Sequence, residues 1–186
     1  MGRRAATGAT PALRAAAAAG VDVELHEYRH TEGVTAFGDE VVAQLDADPA
    51  TVFKTLVAEI DGAPAVAVLP VPARLDPKAL AAALGGKRAR LADAADAERI
   101  TGYVVGGVSP LGQRQRLPTV LDASARDHPR ILVSAGRRGL QMGLAPADLV
   151  ALTDPVVAPI TAPAAGGAPG GPPGAGRDPR RGRRSR

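Results

Sequence analysis

Two apolar runs on either side of an Asp-Gly turn signal constrain this chain more than any other feature. Thr51-Val-Phe-Lys-Thr-Leu-Val-Ala-Glu-Ile60 and Ala65-Val-Ala-Val-Leu69 flank Asp61-Gly62. Asp-Gly between segments rich in β-branched residues is a strong short-range signal for a β-hairpin. Alternate side chains of a strand share a face. Val52, Leu56 and Ile60 therefore fall on one face of the first strand, and Phe53, Thr55 and Val57 on the other. Both faces read as largely buried. Lys54 is then out of place, because it lies between Val52 and Leu56 with no wet side to turn to. An ammonium in such a setting is paired, reaches water through a cleft, or has a shifted pKa. Two readings stay open: the stem packs while the head reaches the surface, or the cation is held at the wall of a site.

The other elements are read in chain order. Thr10-Pro11 is an N-cap followed by proline at the first helical position, and it opens an alanine-rich helix that Gly20 stops. Leu13 is that helix's one large apolar residue, so it is expected to bury little. Val21 to His30 reads as a strand. Phe37 to Leu45 reads as a helix with Phe37, Val41, Val42 and Leu45 on one stripe and Asp39 and Glu40 in the first turn, where carboxylates suit the helix dipole. Pro70 and Pro72 end the second hairpin strand, and Asp76-Pro77 starts a helix to Leu84. A short extended piece around Arg88–Leu91 and a small helix near Asp93–Arg99 come next. Strands are expected at Leu117–Leu121 and Ile131–Val133, a turn at Ala135-Gly136, a short extended piece after Gly139, a helix from Pro146 to Leu152 and a last strand at Val156–Ile160. Helices and strands without a regular βαβ repeat point to an α+β fold with a mixed or mostly antiparallel sheet.

Composition sets limits. The chain of 186 residues is long enough for one domain with its own core, yet it has only two Phe, two Tyr and no Trp, so Val, Leu, Ile and Ala must build that core. With no cysteine, disulfides, thiolate metal sites and a protein-borne cysteine nucleophile are excluded. The net charge of +4 is mostly a property of the end of the chain, where Arg177, Arg180, Arg181, Arg183, Arg184 and Arg186 face only Asp178. Residues 1–9 and the Ala/Gly/Pro/Arg-rich residues 161–186 are expected to be disordered, leaving a folded domain over residues 10–160. No apolar run approaches the ~20 residues of a membrane helix, and the basic N-terminus lacks an apolar core, so a cytoplasmic protein is expected.

Candidate chemistry is sparse. Thr101-Gly-Tyr-Val-Val-Gly-Gly-Val-Ser-Pro-Leu-Gly-Gln113 carries four glycines and a proline. It matches neither a Walker loop nor a dinucleotide fingerprint. It reads as a bulged strand with a tight turn, or as backbone that approaches a ligand closely and offers N–H groups to an oxyanion or phosphate. His26 and His30 sit ~13 Å apart along an extended segment, and His128 is the one other histidine, so no metal site is expected. Ser109, Ser124 and Ser134 lack an elbow motif, and Asp93 and Asp96 read as a solvated helix face.

With these stretches in view, the chain from about Thr10 to Leu152 resembles the YbaK/EbsC family, trans-acting editing hydrolases related to the insertion domain of bacterial prolyl-tRNA synthetase. The resemblance is carried by collinear blocks: Thr10-Pro11-Ala12, Glu27-Tyr28-Arg29-His30, Phe37-Gly38-Asp39-Glu40-Val41-Val42, Val52-Phe53-Lys54-Thr55-Leu56, the glycine segment, Arg116-Leu117-Pro118-Thr119 and Val133-Ser134-Ala135-Gly136-Arg137-Arg138-Gly139-Leu140. It implies an α+β fold around a mixed, mostly antiparallel, barrel-like sheet with surrounding helices. It also implies hydrolysis of Cys-tRNA(Pro), with Cys-tRNA(Cys) as an optional further substrate, no cofactor and no metal, and prolyl-tRNA synthetase as a partner. A deacylase for another mischarged tRNA such as Ala-tRNA(Pro), or a non-catalytic tRNA- or synthetase-binding module, stay open as alternatives. Lys54 matches the family's essential lysine, and Tyr28, Phe37, Gly106 and Ser134 match other pocket residues. Family members commonly have Asp where this chain has Gln141, which removes a charge near the expected site. The resemblance further implies that the substrate's own thiol attacks its ester, so the protein needs no nucleophile. Lys54 is then expected to anchor substrate, backbone N–H groups near Gly106-Gly107 to face the oxyanion, Phe37 and Tyr28 to wall the side-chain pocket, and Ser134 to add a polar contact.

Overall fold

A computed structural model describes residues 9–163. The elements are α1 (Pro11–Ala18), β1 (Glu24–Glu27), α2 (Phe37–Leu45), β2 (Phe53–Ile60), β3 (Ala63–Pro70), α3 (Pro77–Ala83), β4 (Ala89–Leu91), α4 (Ala94–Thr101), β5 (Thr119–Asp122), β6 (Ile131–Arg137), β7 (Leu140–Leu144), α5 (Pro146–Thr153) and β8 (Val156–Ala158). The expected hairpin is β2–β3, closed by the pair Ile60–Ala63. Asp61 and Gly62 have φ of 51° and 90°, the left-handed pair that a two-residue type I′ turn needs to match strand twist.

Two sheets result. One has the order β4-β2-β3-β5-β8 and the other β1-β7-β6. β5 runs parallel to β3 and to β8, while all other ladders are antiparallel, as the mixed α+β reading requires. The sheets meet at one parallel bridge, Val52–Leu132. They do not close into a barrel: β4 and β8 each end their sheet, which corrects the barrel-like part of the expectation.

The five-stranded sheet is buried on both faces. Val66 and Val68 of β3 join a core with Phe53, Val57, Leu121, Met142 and Leu149. Ala65, Ala67 and Leu69 join a second core with Ile60, Leu80 and Ile160. A strand covered on both sides reads as a continuous apolar run rather than an alternation, which is how β2 and β3 appeared in the sequence.

Some expectations are revised. The first helix buries Ala12 and Ala16 completely. Its small residues allow close approach, and the Thr10 hydroxyl donates to the Ala135 carbonyl, tying α1 to β6. The strand near Tyr28 shrinks to four residues, an edge strand on which Leu25 stays 46% exposed. Ala135-Gly136 is not the hairpin turn. β6 continues through it with a register irregularity between Ser134 and Arg137, and the turn falls at Arg138-Gly139, between β6 and β7. Pairing also runs past residue 160, because Thr161 bridges Leu75 and the Ala162 N–H donates to Arg74 O. Residues 1–8 and 164–186, including the arginine-rich stretch, lie outside the described residues. Among the described residues no helix is long and apolar enough to cross a membrane.

Candidate active site

The site arises where one strand loses its neighbour. β2 pairs with β3 along its whole length. On its other edge β4 reaches only Ala58, Glu59 and Ile60. No strand pairs with that edge between Val52 and Ala58 among the described residues. A cavity of about 480 Å³ opens there, within the size range of small-molecule sites. Because the edge is open, side chains from both faces of β2 reach it: Lys54 and Leu56 from one, Phe53 and Thr55 from the other. α2, the glycine segment after α4, and the β6–β7 hairpin complete the wall.

Lys54 is half-buried, and its ammonium donates to Val71 O at 2.9 Å and Ala73 O at 2.7 Å. It makes no ion pair among the described residues. Burial pulls its pKa below the usual lysine value, and the negative charge of Asp39 pushes weakly the other way. An ammonium has three donors, so one N–H is left for a ligand. The Lys54 side chain lines the cavity, with its head turned to two backbone carbonyls.

The opposing elements are fixed by tight contacts. A Cβ on Gly38 would stand 2.5 Å from Val71 Cγ1, so only glycine lets the first turn of α2 press against the loop that receives the Lys54 head. Gly106 has φ of 87°, and a Cβ there would stand 2.5 Å from the Phe37 ring. Phe37 is held from outside by Arg138, whose guanidinium lies 5.0 Å from the ring centroid, and its ring centroid is 5.5 Å from that of His30. Arg138 Nε also donates to Val105 O at 2.8 Å, which anchors the residue before Gly106. Deeper in the same segment, burial pushes the Tyr103 hydroxyl up to about 12, and that hydroxyl donates to Leu111 O at 2.7 Å. The glycine segment is thus a pinned loop rather than a bulged strand.

Of the residues expected at the site, Lys54, Phe37, Gly106, Ser134 and Gln141 line this one cavity. Ser134 and Gln141 are cross-strand partners in the β6–β7 ladder. Gln141 is 5% exposed. Two expected residues do not line the cavity. Gly107 donates its N–H to Val104 O at 2.9 Å and packs against the backbone of Arg137 and Arg138, so that N–H is not available to an oxyanion. Tyr28 is held by its backbone N–H to Gly139 O at 3.0 Å, and its hydroxyl is buried without a partner. Three further residues, none with a signal of its own in the sequence, belong to the same surroundings. Thr55 lines the cavity with a buried hydroxyl that has no partner, Asp39 contributes a carboxylate, and Arg138 braces Phe37. Thr55 directly follows Lys54, and strand alternation alone sends it to the opposite face; only the open edge brings both to one cavity.

This combination defines a class: an α+β domain with a largely apolar cleft, a cation in its wall and a pinned glycine loop. The chain belongs to the aminoacyl-tRNA editing domain family, whose model matches residues 31–152. It is 37% identical over 139 residues to the Enterococcus faecalis protein named "Putative Cys-tRNA(Pro)/Cys-tRNA(Cys) deacylase EbsC", covering 71% of this chain and 85% of that one. Among solved structures it is similar to a crystal structure described as a hypothetical protein, with a TM-score of 0.73 at 26% identity over 82% of this chain and 99% of that one. It also matches the fold of a "putative trans-editing enzyme for prolyl tRNA synthetase", with a TM-score of 0.72 at 24% identity over 82% of this chain and 95% of that one.

Proposed function

We propose that this editing domain deacylates Cys-tRNA(Pro), with Cys-tRNA(Cys) as a second substrate, and that the cysteinyl thiol of the substrate is the nucleophile. The observation that carries the reading is the Lys54 ammonium, fixed by two carbonyls with one N–H free in the wall of a largely apolar cavity. In the proposed step the substrate sulfur attacks its own ester carbonyl. A C–S bond forms, the bond from the carbonyl carbon to the terminal ribose oxygen breaks, and the thiol proton ends on that oxygen. Uncharged tRNA and a thiolactone leave, and water then opens the thiolactone. Bond cleavage before water enters would give the first step lyase character.

The protein's share is positioning and charge stabilisation. The free N–H of Lys54 holds the ester end of the substrate, at its carbonyl or terminal ribose–phosphate. Gly106 and Val108 line the cavity, and neither backbone N–H has a partner among the described residues, so they are the candidate oxyanion donors. Phe37 walls the amino-acid end, with Ser134, Thr55 and Gln141 as neutral polar contacts. The name of the Enterococcus faecalis relative supports the substrate. Prolyl-tRNA synthetase is the proposed partner, residues 10–160 the proposed catalytic unit, and the cytoplasm the proposed place of action.

The test is deacylation of Cys-, Ser- and Ala-charged tRNA(Pro) by wild type and Lys54→Ala. Wild type is expected to prefer Cys strongly, since serine and alanine bring no thiol. Lys54→Ala is expected to lose ~100–1000-fold, the effect of removing one oxyanion-type donor. Near-normal activity without Lys54 overturns the assignment, and equal rates for Ser and Cys overturn the thiol mechanism. The neutral Gln141 in the cavity lining favours one rival, a broader or Ala-directed specificity, which faster turnover of Ala-tRNA(Pro) would establish.

A further inference from the structure

We propose that Asp39 seats the α-ammonium of the aminoacyl ester and so distinguishes a charged tRNA end from an uncharged or N-blocked one. The inference rests on the deacylase reading and extends it to a specificity residue.

Lys54 and Asp39 are the two ionisable residues that line the cavity; the rest of the lining is apolar or neutral. Their situations differ. The Lys54 head is committed to two carbonyls. The Asp39 carboxylate is exposed, and it has no hydrogen bond or ion pair among the described residues. The adjacent acid shows the contrast. Glu40 is spent on structure, accepting from His30 at 2.7 Å and from the Thr31 N–H at 2.7 Å. Of two consecutive carboxylates in the first turn of α2, one locks the helix to the preceding loop and the other is left free at the cavity.

Asp39 is also held in place. Gly38 presses on Val71, whose carbonyl receives Lys54, so Asp39 follows on backbone held against the loop that takes the cation. The negative charge of Asp39 is felt at Lys54. The cavity lining therefore presents one anion and one cation, not ion-paired with each other, in an otherwise neutral cleft. The end of an aminoacyl-tRNA offers the complementary pair: an ammonium α to the ester carbonyl, and a phosphate beyond the ribose. A carboxylate at Asp39 attracts the first and repels the second, which leaves the phosphate end to Lys54. Asp39 also suits the helix dipole, but that contribution moves stability and not the choice between free and blocked amines.

The experiment uses two amide-linked analogues of the tRNA end, 3′-cysteinylamino-3′-deoxyadenosine and its N-acetyl derivative, titrated into wild-type protein, Asp39→Asn and Asp39→Glu. It is run at about pH 6, below the ~7.7 of an α-amino group. Wild type is expected to bind the free amine about five-fold more tightly than the acetylated form, the upper end for a solvent-exposed charge pair. Asp39→Asn is expected to bring the two within about two-fold by weakening the free amine alone, and Asp39→Glu to restore part of the difference. An unchanged preference in Asp39→Asn, no preference in wild type, or no binding of either analogue overturns the proposal. Binding with the expected preference but no turnover of any charged tRNA would instead overturn the deacylase reading and leave this one standing.

Discussion

At the scale of single residues, Lys54 sets function against stability. Burial holds its pKa below the ordinary lysine value, so the folded protein binds that proton less well than the unfolded chain. Stability linked to this group therefore rises with pH, up to the ordinary lysine pKa, above which the lysine is neutral in both states. Removing the charge removes the penalty. Lys54→Met is expected to abolish deacylation while keeping thermal stability within ~1 kcal/mol of wild type or above it, read by a melting curve beside a deacylation assay. A large loss of stability would mean that the two carbonyl contacts are structural. Gly106 is the converse case. A side chain at φ of 87° carries ~1–2 kcal/mol of backbone strain, and the new methyl meets the Phe37 ring. Gly106→Ala should lower both stability and activity, and trimming the ring in Gly106→Ala/Phe37→Leu should relieve the clash but not the strain. A melting curve of the double variant that shows no recovery would refute the steric half of this account. The oddity of Lys54 was legible from strand alternation alone. Its partners were not, because Val71 and Ala73 are backbone acceptors on a loop, and any sequence can supply a carbonyl.

At the scale of elements, α2 is the moving question. Its N-cap residue Ala36 makes no side-chain cap bond, and of the stripe read from the sequence Val41 alone is fully buried. What fastens the helix to the preceding segment is Glu40, through His30 and the Thr31 N–H, together with Gln44, through the N–H and carbonyl of Arg29. The hydrogen bond to His30 is the largest cause holding the Glu40 carboxyl below the ordinary carboxylate range. A depressed carboxylate stabilises the fold above its unfolded pKa, and that contribution is lost as the pH falls through the lowered value. Glu40→Gln is therefore expected to flatten the acid limb of the stability–pH profile and to loosen Phe37, with hydrogen exchange in α2 rising most; an acid limb identical to wild type would assign α2's fastening elsewhere. The helices and the β2–β3 hairpin were readable because caps, Asp-Gly and apolar runs act locally. β6 was misread because Ala135-Gly136 carries a turn's composition, yet there it serves close packing: a Cβ on Gly136 would meet the Tyr103 ring at 2.8 Å. Sequence alone does not distinguish a glycine needed for a turn from one needed for contact.

At the scale of the whole molecule, the cavity exists because the two sheets meet only at the start of β2, through the Val52–Leu132 bridge, and do not close along its edge. The full ladder with β3 holds one edge of β2, and the bridge at Val52–Leu132 with the short ladder to β4 fixes the two ends of the other. The open stretch between them is therefore rigid, although it lacks a partner strand. That rigidity depends on both cores, since β3 sends Val66 and Val68 to one and Ala65, Ala67 and Leu69 to the other. The two cores should then unfold together. Leu80 of α3 is fully buried in the second core and does not itself line the cavity, so it tests this coupling from outside the lining, with Leu56 the one lining side chain packed against its core. Leu80→Ala is expected to remove ~2–5 kcal/mol, a large share of the ~5–15 kcal/mol of a typical domain. The loss should appear as one cooperative transition at lower denaturant, followed by far-ultraviolet dichroism and by the exposure of Tyr103 in the opposite core. Deacylation well below the new midpoint should stay near wild type, because the cavity lining is unchanged. Separate transitions for the two probes would show that the cores are independent, and the rigidity of the β2 edge would then have to come from the Lys54 and Gly38 contacts alone.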